Sequence, residues 1–240
     1  MAVFPSTRWS VIEAARTGDA TERSRALETL AAVYWKPVYT YLRTKWQRSP
    51  EDSADLTQTF FVELLERDLI GKFDEEKGRL RTYLRTCIDG FVSNDARAES
   101  RLKRGGGTRI LRIEDEENRE ELERRILIGT ATPEEVFERE WARSLFSVAL
   151  ERLQKSLRES RKETHLQLFE RCDLGAGGGE APSYADLAER FGIAKTDVTN
   201  WLAFARREFR RHVLDVLREL TGNEREFRQE LRALTGKERE

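Results

Sequence analysis

Two consecutive helical patterns of opposite charge lie between Glu51 and Gly107, and they limit what the rest of the chain can be. In Glu51–Arg67, EDSADLTQTFFVELLER, apolar residues fall at Ala54, Leu56, Phe60, Phe61, Leu64 and Leu65. That is close to an i, i+3/i+4 stripe, the period of an amphipathic helix. Glu51, Asp52, Asp55, Gln58, Glu63 and Glu66 take the other face. The next stretch repeats the helical period at Leu80, Tyr83, Leu84, Cys87, Ile88, Phe91 and Val92. It is loaded with Arg79, Arg81, Arg85, Arg97, Arg101, Lys103, Arg104 and Arg109 against Asp89, Asp95 and Glu99. An acidic-faced helix followed by a basic one suits a protein that holds a partner with the first and nucleic acid with the second.

Helical periodicity extends over the rest of the chain. Thr7–Arg16 reads as a short helix with Trp9 and Ile12 docked on the first domain. From Thr21 to about Trp46 the apolar series is Leu27, Leu30, Ala31, Tyr34, Trp35, Val38, Tyr39 and Leu42, and Pro37 is expected to kink or interrupt it. The aromatics Tyr34, Trp35, Tyr39, Tyr41 and Trp46 could stack on bases, but at this spacing they read as core. Ser49 caps the Glu51 helix with Pro50 at its first position. Gly105-Gly106-Gly107 reads as a hinge, because no Lys-Ser/Thr follows to make a phosphate loop.

Ile110–Glu140 is rich in glutamate and reads as a solvated acidic linker. Beyond Pro133 further helical runs reach Ser160 and cover Glu163–Cys172, before the glycine run at Gly175–Gly179. Then SYADLAERFGIAKTDVTNWLAFARREFRRHV, Ser183–Val213, has the helix-turn-helix pattern. Ser183 caps its first helix, Ala188 lies where the helices cross, Gly192 makes the turn and Val198 anchors the second helix. The tail contains a repeat, LRELTGNERE at Leu217–Glu226 and LRALTGKERE at Leu231–Glu240, expected as a short charged helix folded back on the second domain.

At this point a resemblance becomes specific. DSADLTQTFF followed by GRLRTYLRTCIDGFVSNDAR resembles region 2 of the sigma-70 family of bacterial transcription initiation factors, particularly the extracytoplasmic-function type. The helix-turn-helix pattern is similar to the family's region 4. The resemblance implies an all-α chain of two small helical domains joined by an acidic linker: a region 2-like domain at 1–107, the linker at 108–135, a region 4-like domain at 136–220 and a charged helical tail at 221–240. It implies core RNA polymerase and promoter DNA as partners, with no enzymatic activity and no cofactor or metal. Asp52, Asp55, Gln58 and Phe61 would contact the polymerase clamp. Asn94, Arg97, Arg101, Lys103 and Arg104 would bind the −10 element. Lys195, Thr196, Thr199 and Asn200 would lie at or near base edges of the −35 element, with Arg206, Arg207 and Arg210 on its backbone. In the family the linker threads the polymerase cleft, where its acidity would mimic nucleic acid.

Several positions depart from the family pattern. The usual Asp-Ala-Glu-Asp cluster is Asp52-Ser53-Ala54-Asp55, and Thr59 stands where an acidic residue is common. Gly90 replaces an asparagine, and Trp201 stands where arginine is frequent. Phosphorylation of Thr57 or Thr59 would restore about 1.5–2 negative charges to the depleted acidic face. A Ser/Thr kinase and an anti-sigma factor therefore stay open as further partners.

Composition removes other classes. Charged residues make up 36% and hydrophobic ones 38% of 240 residues, which suits small helical cores with large surfaces. Cys87 and Cys172 are far apart and read as reduced thiols. Met1–Arg16 carries Pro5, Arg8 and Glu13 and lacks the apolar core of a signal peptide. No apolar run approaches the ~20 residues that span a bilayer, so the expectation is a cytoplasmic protein without a membrane partner. His165 and His212 are the only histidines, and neither has metal-ligand spacing with a cysteine, which disfavours a nuclease or hydrolase. The remaining alternative is a helix-turn-helix regulator that never joins polymerase. It would need a ligand pocket or a dimer surface in the first domain.

Overall fold

The computed structural model describes residues 12–14, 18–98, 116–127, 131–175 and 182–236. All regular structure among them is helical. The helices are α1 (Ala20–Lys45), α2 (Pro50–Glu66), α3 (Leu80–Ala98), α4 (Glu116–Leu127), α5 (Pro133–Glu159), α6 (Glu163–Asp173), α7 (Tyr184–Phe191), α8 (Lys195–Glu219) and α9 (Glu224–Thr235). The chain divides into two compact units, Met1–Ser144 with Leu217–Glu240, and Leu145–Val216. These differ from the sequence-based boundaries, chiefly because the tail joins the first unit.

In the first unit α1 is the central helix. Asp19 caps it in a capping box with Glu22, accepting from the Thr21 and Glu22 amides. The helix runs through Pro37 without interruption, so of the two expected outcomes, a kink or a break, the break does not occur. Proline in a helix interior costs about 3 kcal/mol. Burial offsets that cost: Val33, Tyr34, Trp35, Val38, Tyr39, Tyr41 and Leu42 are all buried around it. The Thr40 hydroxyl also donates to the carbonyls of Lys36 and Pro37, each at 3.0 Å. The aromatics of α1 are core: Tyr41 meets Phe137 edge-on at 5.7 Å, and Trp35 stacks on Tyr39 at 5.3 Å. Trp46 is half-buried and donates to Asp89 at 3.2 Å.

The Ser49 hydroxyl caps α2 by accepting from the Asp52 amide at 3.1 Å, with Pro50 in the first turn. Phe60, Phe61 and Leu64 face inward, and Phe60 meets Phe91 of α3 at 5.8 Å. From α3 the buried set is Leu80, Leu84, Ile88, Phe91 and Val92.

Two segments differ from expectation. The acidic segment contains α4, which packs on α1. Leu122 is buried, and Glu123 accepts from the Tyr39 hydroxyl at 2.6 Å and from Arg43 at 2.6 and 2.8 Å. This part of the segment is not a solvated linker. The tail helix α9 folds on the first unit, not the second. Its Glu226 is 3% exposed and accepts from the Leu80 amide at 2.7 Å and the Gly222 amide at 2.9 Å. Leu80 opens α3, so a carboxylate sits on that helix's positive end. Glu230, also 3% exposed, lies 2.7 Å from Arg81 Nη2, and Phe227 is buried beneath the Arg218 guanidinium.

Burial pushes the pKa of both Glu226 and Glu230 up, against the hydrogen bonds and Arg81 that lower them. The folded chain therefore takes up protons before the unfolded chain as pH falls. Stability from these groups is fully present below the ordinary glutamate pKa of about 4.3 and is lost as pH rises through their folded values. Urea midpoints should show wild type gaining on Glu226→Gln/Glu230→Gln as pH is lowered from 7.5 to 5. A difference that stays constant, or reverses, would contradict the burial of these carboxylates.

In the second unit Leu153, Leu157, Leu166, Phe169, Leu202 and Ala205 form one core cluster. Leu168, Leu187 and Val198 form another beneath the turn between α7 and α8.

Candidate partner and nucleic-acid interfaces

The outward face of α2 is acidic. Glu51, Asp52, Asp55, Thr59 and Glu66 are exposed, and Gln58 is half-buried. The Asp52 and Asp55 carboxylates make no ion pair among the described residues, so their charge is available to a cationic partner. Phe61, the expected apolar anchor, is only 4% exposed and packs into the core against Phe60 at 5.8 Å. Its role is to hold α2, because the stripe that turns Asp52 and Asp55 outward turns Phe61 inward. Thr57 is fully buried, and its hydroxyl donates to the Ser53 carbonyl at 2.6 Å. A folded chain offers no hydroxyl for modification there. Thr59 is exposed, although its hydroxyl donates to the Asp55 carbonyl at 2.9 Å.

The basic pattern of α3 resolves into two parts. Arg81 is buried: it pairs with Glu138 and Glu230 and lies over the Trp141 ring at 4.5 Å. Burial pushes the Arg81 pKa down, while Glu230 acts to raise it. Arg85 lies 3.6 Å from Glu138 and over the Phe137 ring at 5.6 Å. Both guanidinium groups are thus engaged within the first unit. The exposed residues of α3 up to Asn94 are Thr82, Thr86, Gly90, Ser93 and Asn94, small or polar and uncharged. Of the expected −10 residues, Asn94 is exposed near the end of α3, and Arg97 lies one turn further on. Arg101, Lys103 and Arg104 lie outside the described residues.

The second unit contains a helix-turn-helix. The Ser183 hydroxyl caps α7 by accepting from the Asp186 amide at 3.2 Å, and the Asp186 carboxylate returns the bond to the Ser183 amide. Gly192 ends α7 with φ +63°, a left-handed conformation that glycine adopts without strain. The Ile193 amide bonds the Ala188 carbonyl at 3.0 Å, and α8 opens three residues after the glycine. Lys195, Thr196, Thr199, Asn200, Arg207 and Arg210 are exposed. Thr196, Thr199, Ala203, Arg206 and Arg210 share one helical face by spacing. Arg206 is exposed but forked on Asp173, with contacts of 2.9 to 3.2 Å. Binding a phosphate there requires that pair to be shared or exchanged.

Sequence reading missed two features. Trp201 stacks on His165 at 4.6 Å and is half-buried, so it supports α8 rather than standing free on it. Burial, and then Lys162, push the His165 pKa down, which favours a neutral ring in the stack. The Arg81 hub was also missed. Its one local signal is position: Arg81, Leu84 and Ile88 lie on one face, at i, i+3 and i+7.

Cys87 and Cys172 are free thiols, and burial pushes both pKa values up. Among the described residues no helix is long and apolar enough to cross a membrane.

Comparison with known families gives one assignment. Residues 30–102 match the family model for sigma-70 region 2. That span runs from Leu30 in α1 through α2 and all of α3. No curated protein and no solved structure gives a significant match. The match supports a sigma-factor role in transcription initiation, and it coincides with the outward acidic helix and the basic stretch that follows. The match to sigma-70 region 2 lies wholly within the first unit and takes in the acidic-faced α2 and the α3 that follows it.

Proposed function

We propose that the chain is a sigma factor of the extracytoplasmic-function type, which binds core RNA polymerase and directs it to promoters. The observation that carries this reading is the region 2 match over a helix whose free carboxylates face outward. Asp52 and Asp55 meet the basic clamp of the polymerase, with Gln58 beside them and Phe61 holding the helix from behind. Opening DNA requires unstacked bases to be held out of the duplex. The uncharged exposed face of α3 that ends at Asn94 supplies a surface for that. Arg97, Arg101, Lys103 and Arg104 hold phosphates of the −10 element.

The helix-turn-helix supports reading of a −35 element in the major groove through Lys195, Thr196, Thr199 and Asn200. Arg207 and Arg210, with Arg206 once released from Asp173, contact its backbone. An anti-sigma factor would compete for the same surfaces. Run-off transcription from genomic fragments, with core polymerase of the source organism, tests the proposal. Transcripts with defined starts that require the added chain support it. Sequence-specific DNA binding without any polymerase-dependent transcript would favour the regulator that acts alone.

The phosphorylation idea narrows to Thr59, since Thr57 is buried. A phosphate at Thr59 adds about 1.5–2 negative charges next to Asp55 on the exposed face. Thr59→Glu should bind core polymerase more tightly than wild type, at low salt most of all. Equal or weaker binding removes the Ser/Thr kinase from the list of partners.

A further inference from the structure

A cavity of about 270 Å³ in the first unit has no place in the polymerase or promoter contacts. It lies between α4 and the first half of α5. Ile126 and Val136 give it an apolar wall, and Arg125, Arg139 and Arg143 are among the residues that line it. One carboxylate, Glu140, shares the lining and is 3% exposed. Three arginines against one glutamate leave an excess of two positive charges.

Glu140 pairs with two of the three arginines. Its Oε1 pairs directly with Arg143 and lies 3.6 Å from Arg125. Its Oε2 is buried without a hydrogen-bond partner. Arg139 is exposed and makes no ion pair among the described residues. Like charges gathered at one hollow repel each other and are relieved by an anion. Guanidinium forks match phosphate oxygens in pairs and also lie flat against planar rings. The apolar wall requires an organic portion on the ligand, since a bare anion leaves it wet.

We propose that this cavity binds a small phosphorylated molecule with a planar organic group, of the nucleoside diphosphate class. The arginines take the phosphates, and the ring lies against Ile126 and Val136. This site is independent of the sigma-factor reading, because none of the residues assigned to polymerase or promoter lines it.

The test is calorimetric titration of the full chain with ADP, GDP and inorganic pyrophosphate. One or both nucleotides should bind at least about tenfold more tightly than pyrophosphate, a measure of the apolar wall. Arg139→Ala/Arg143→Ala should weaken nucleotide binding by about tenfold or more. Arg139→Ala alone breaks no ion pair among the described residues, so it should weaken binding while leaving the melting temperature of the free protein unchanged. Absence of nucleotide binding, an affinity untouched by both variants, or equally tight binding of pyrophosphate would overturn the proposal. Loss of promoter-DNA binding in the double variant, without any nucleotide binding, would overturn it too and would assign these arginines to the DNA backbone.

Discussion

Arg81→Ala should destabilise the first unit by about 3–5 kcal/mol, the range for removing one partner of a buried ion pair. Arg81 is 5% exposed and joins three helices: it belongs to α3, pairs with Glu138 of α5 and Glu230 of α9, and covers Trp141. Alanine leaves Glu230 as a buried carboxylate without its ion-pair partner, close to Glu226, with only the longer-range charge of Arg79 to favour ionisation. The Glu230 contact is an ion pair rather than an aligned hydrogen bond, since Glu230 Oε2 has no hydrogen-bond partner. Much of the cost is therefore the stranded charge and not a lost directional bond. Arg81→Met/Glu230→Gln should recover a large part of the loss, because it removes both charges and retains volume over Trp141. Chemical unfolding of the three proteins gives the comparison. A single-variant loss under about 1 kcal/mol would mean that Arg81 is solvated and that α9 is not anchored through it.

The second large effect is expected at Leu168→Ala, on α6, which packs against both helices of the helix-turn-helix. Leu168 is fully buried and packs with Leu187 of α7 and Val198 of α8. Removing a buried leucine side chain costs about 2–5 kcal/mol, more where the site cannot collapse. The cluster has only three fully buried members, and small units have little stability to lose. The second unit should lose its cooperative unfolding transition and its duplex DNA binding, while polymerase binding through α2 survives. Retention of DNA binding at wild-type affinity would show that α7 and α8 do not depend on this cluster.

Local features were legible in the sequence because local chemistry decides them. Ser49 and Ser183 read as N-caps, Pro50 as a first-turn residue, Gly192 as the turn glycine and Val198 as its anchor, and each is found in that role. Core aromatics in α1 followed from their spacing. Side-chain periodicity identifies a face but not what the face meets. The Arg81 and Arg85 pattern was read as a nucleic-acid surface, whereas the helix turns those arginines toward α5 and, for Arg81, α9. The bond between Leu80 and Glu226 spans 146 positions, and no local rule connects them. Glu226, Phe227 and Glu230 lie on one face of the tail helix, which marks it as packed somewhere without naming the first unit. At Pro37 the local penalty does not break the helix, because burial on both sides of it outweighs that cost.

The most direct measurement is co-elution with core RNA polymerase of the source organism, comparing wild type with Asp52→Arg/Asp55→Arg. Both side chains are exposed, so charge reversal leaves the fold intact, as matching unfolding curves would verify. If α2 is the clamp-binding helix, wild type elutes with polymerase and the variant elutes alone, while both still bind duplex DNA through the second unit. Equal co-elution of the two proteins would move the contact away from α2. Failure of wild type to co-elute, even as Thr59→Glu, would contradict the sigma-factor reading.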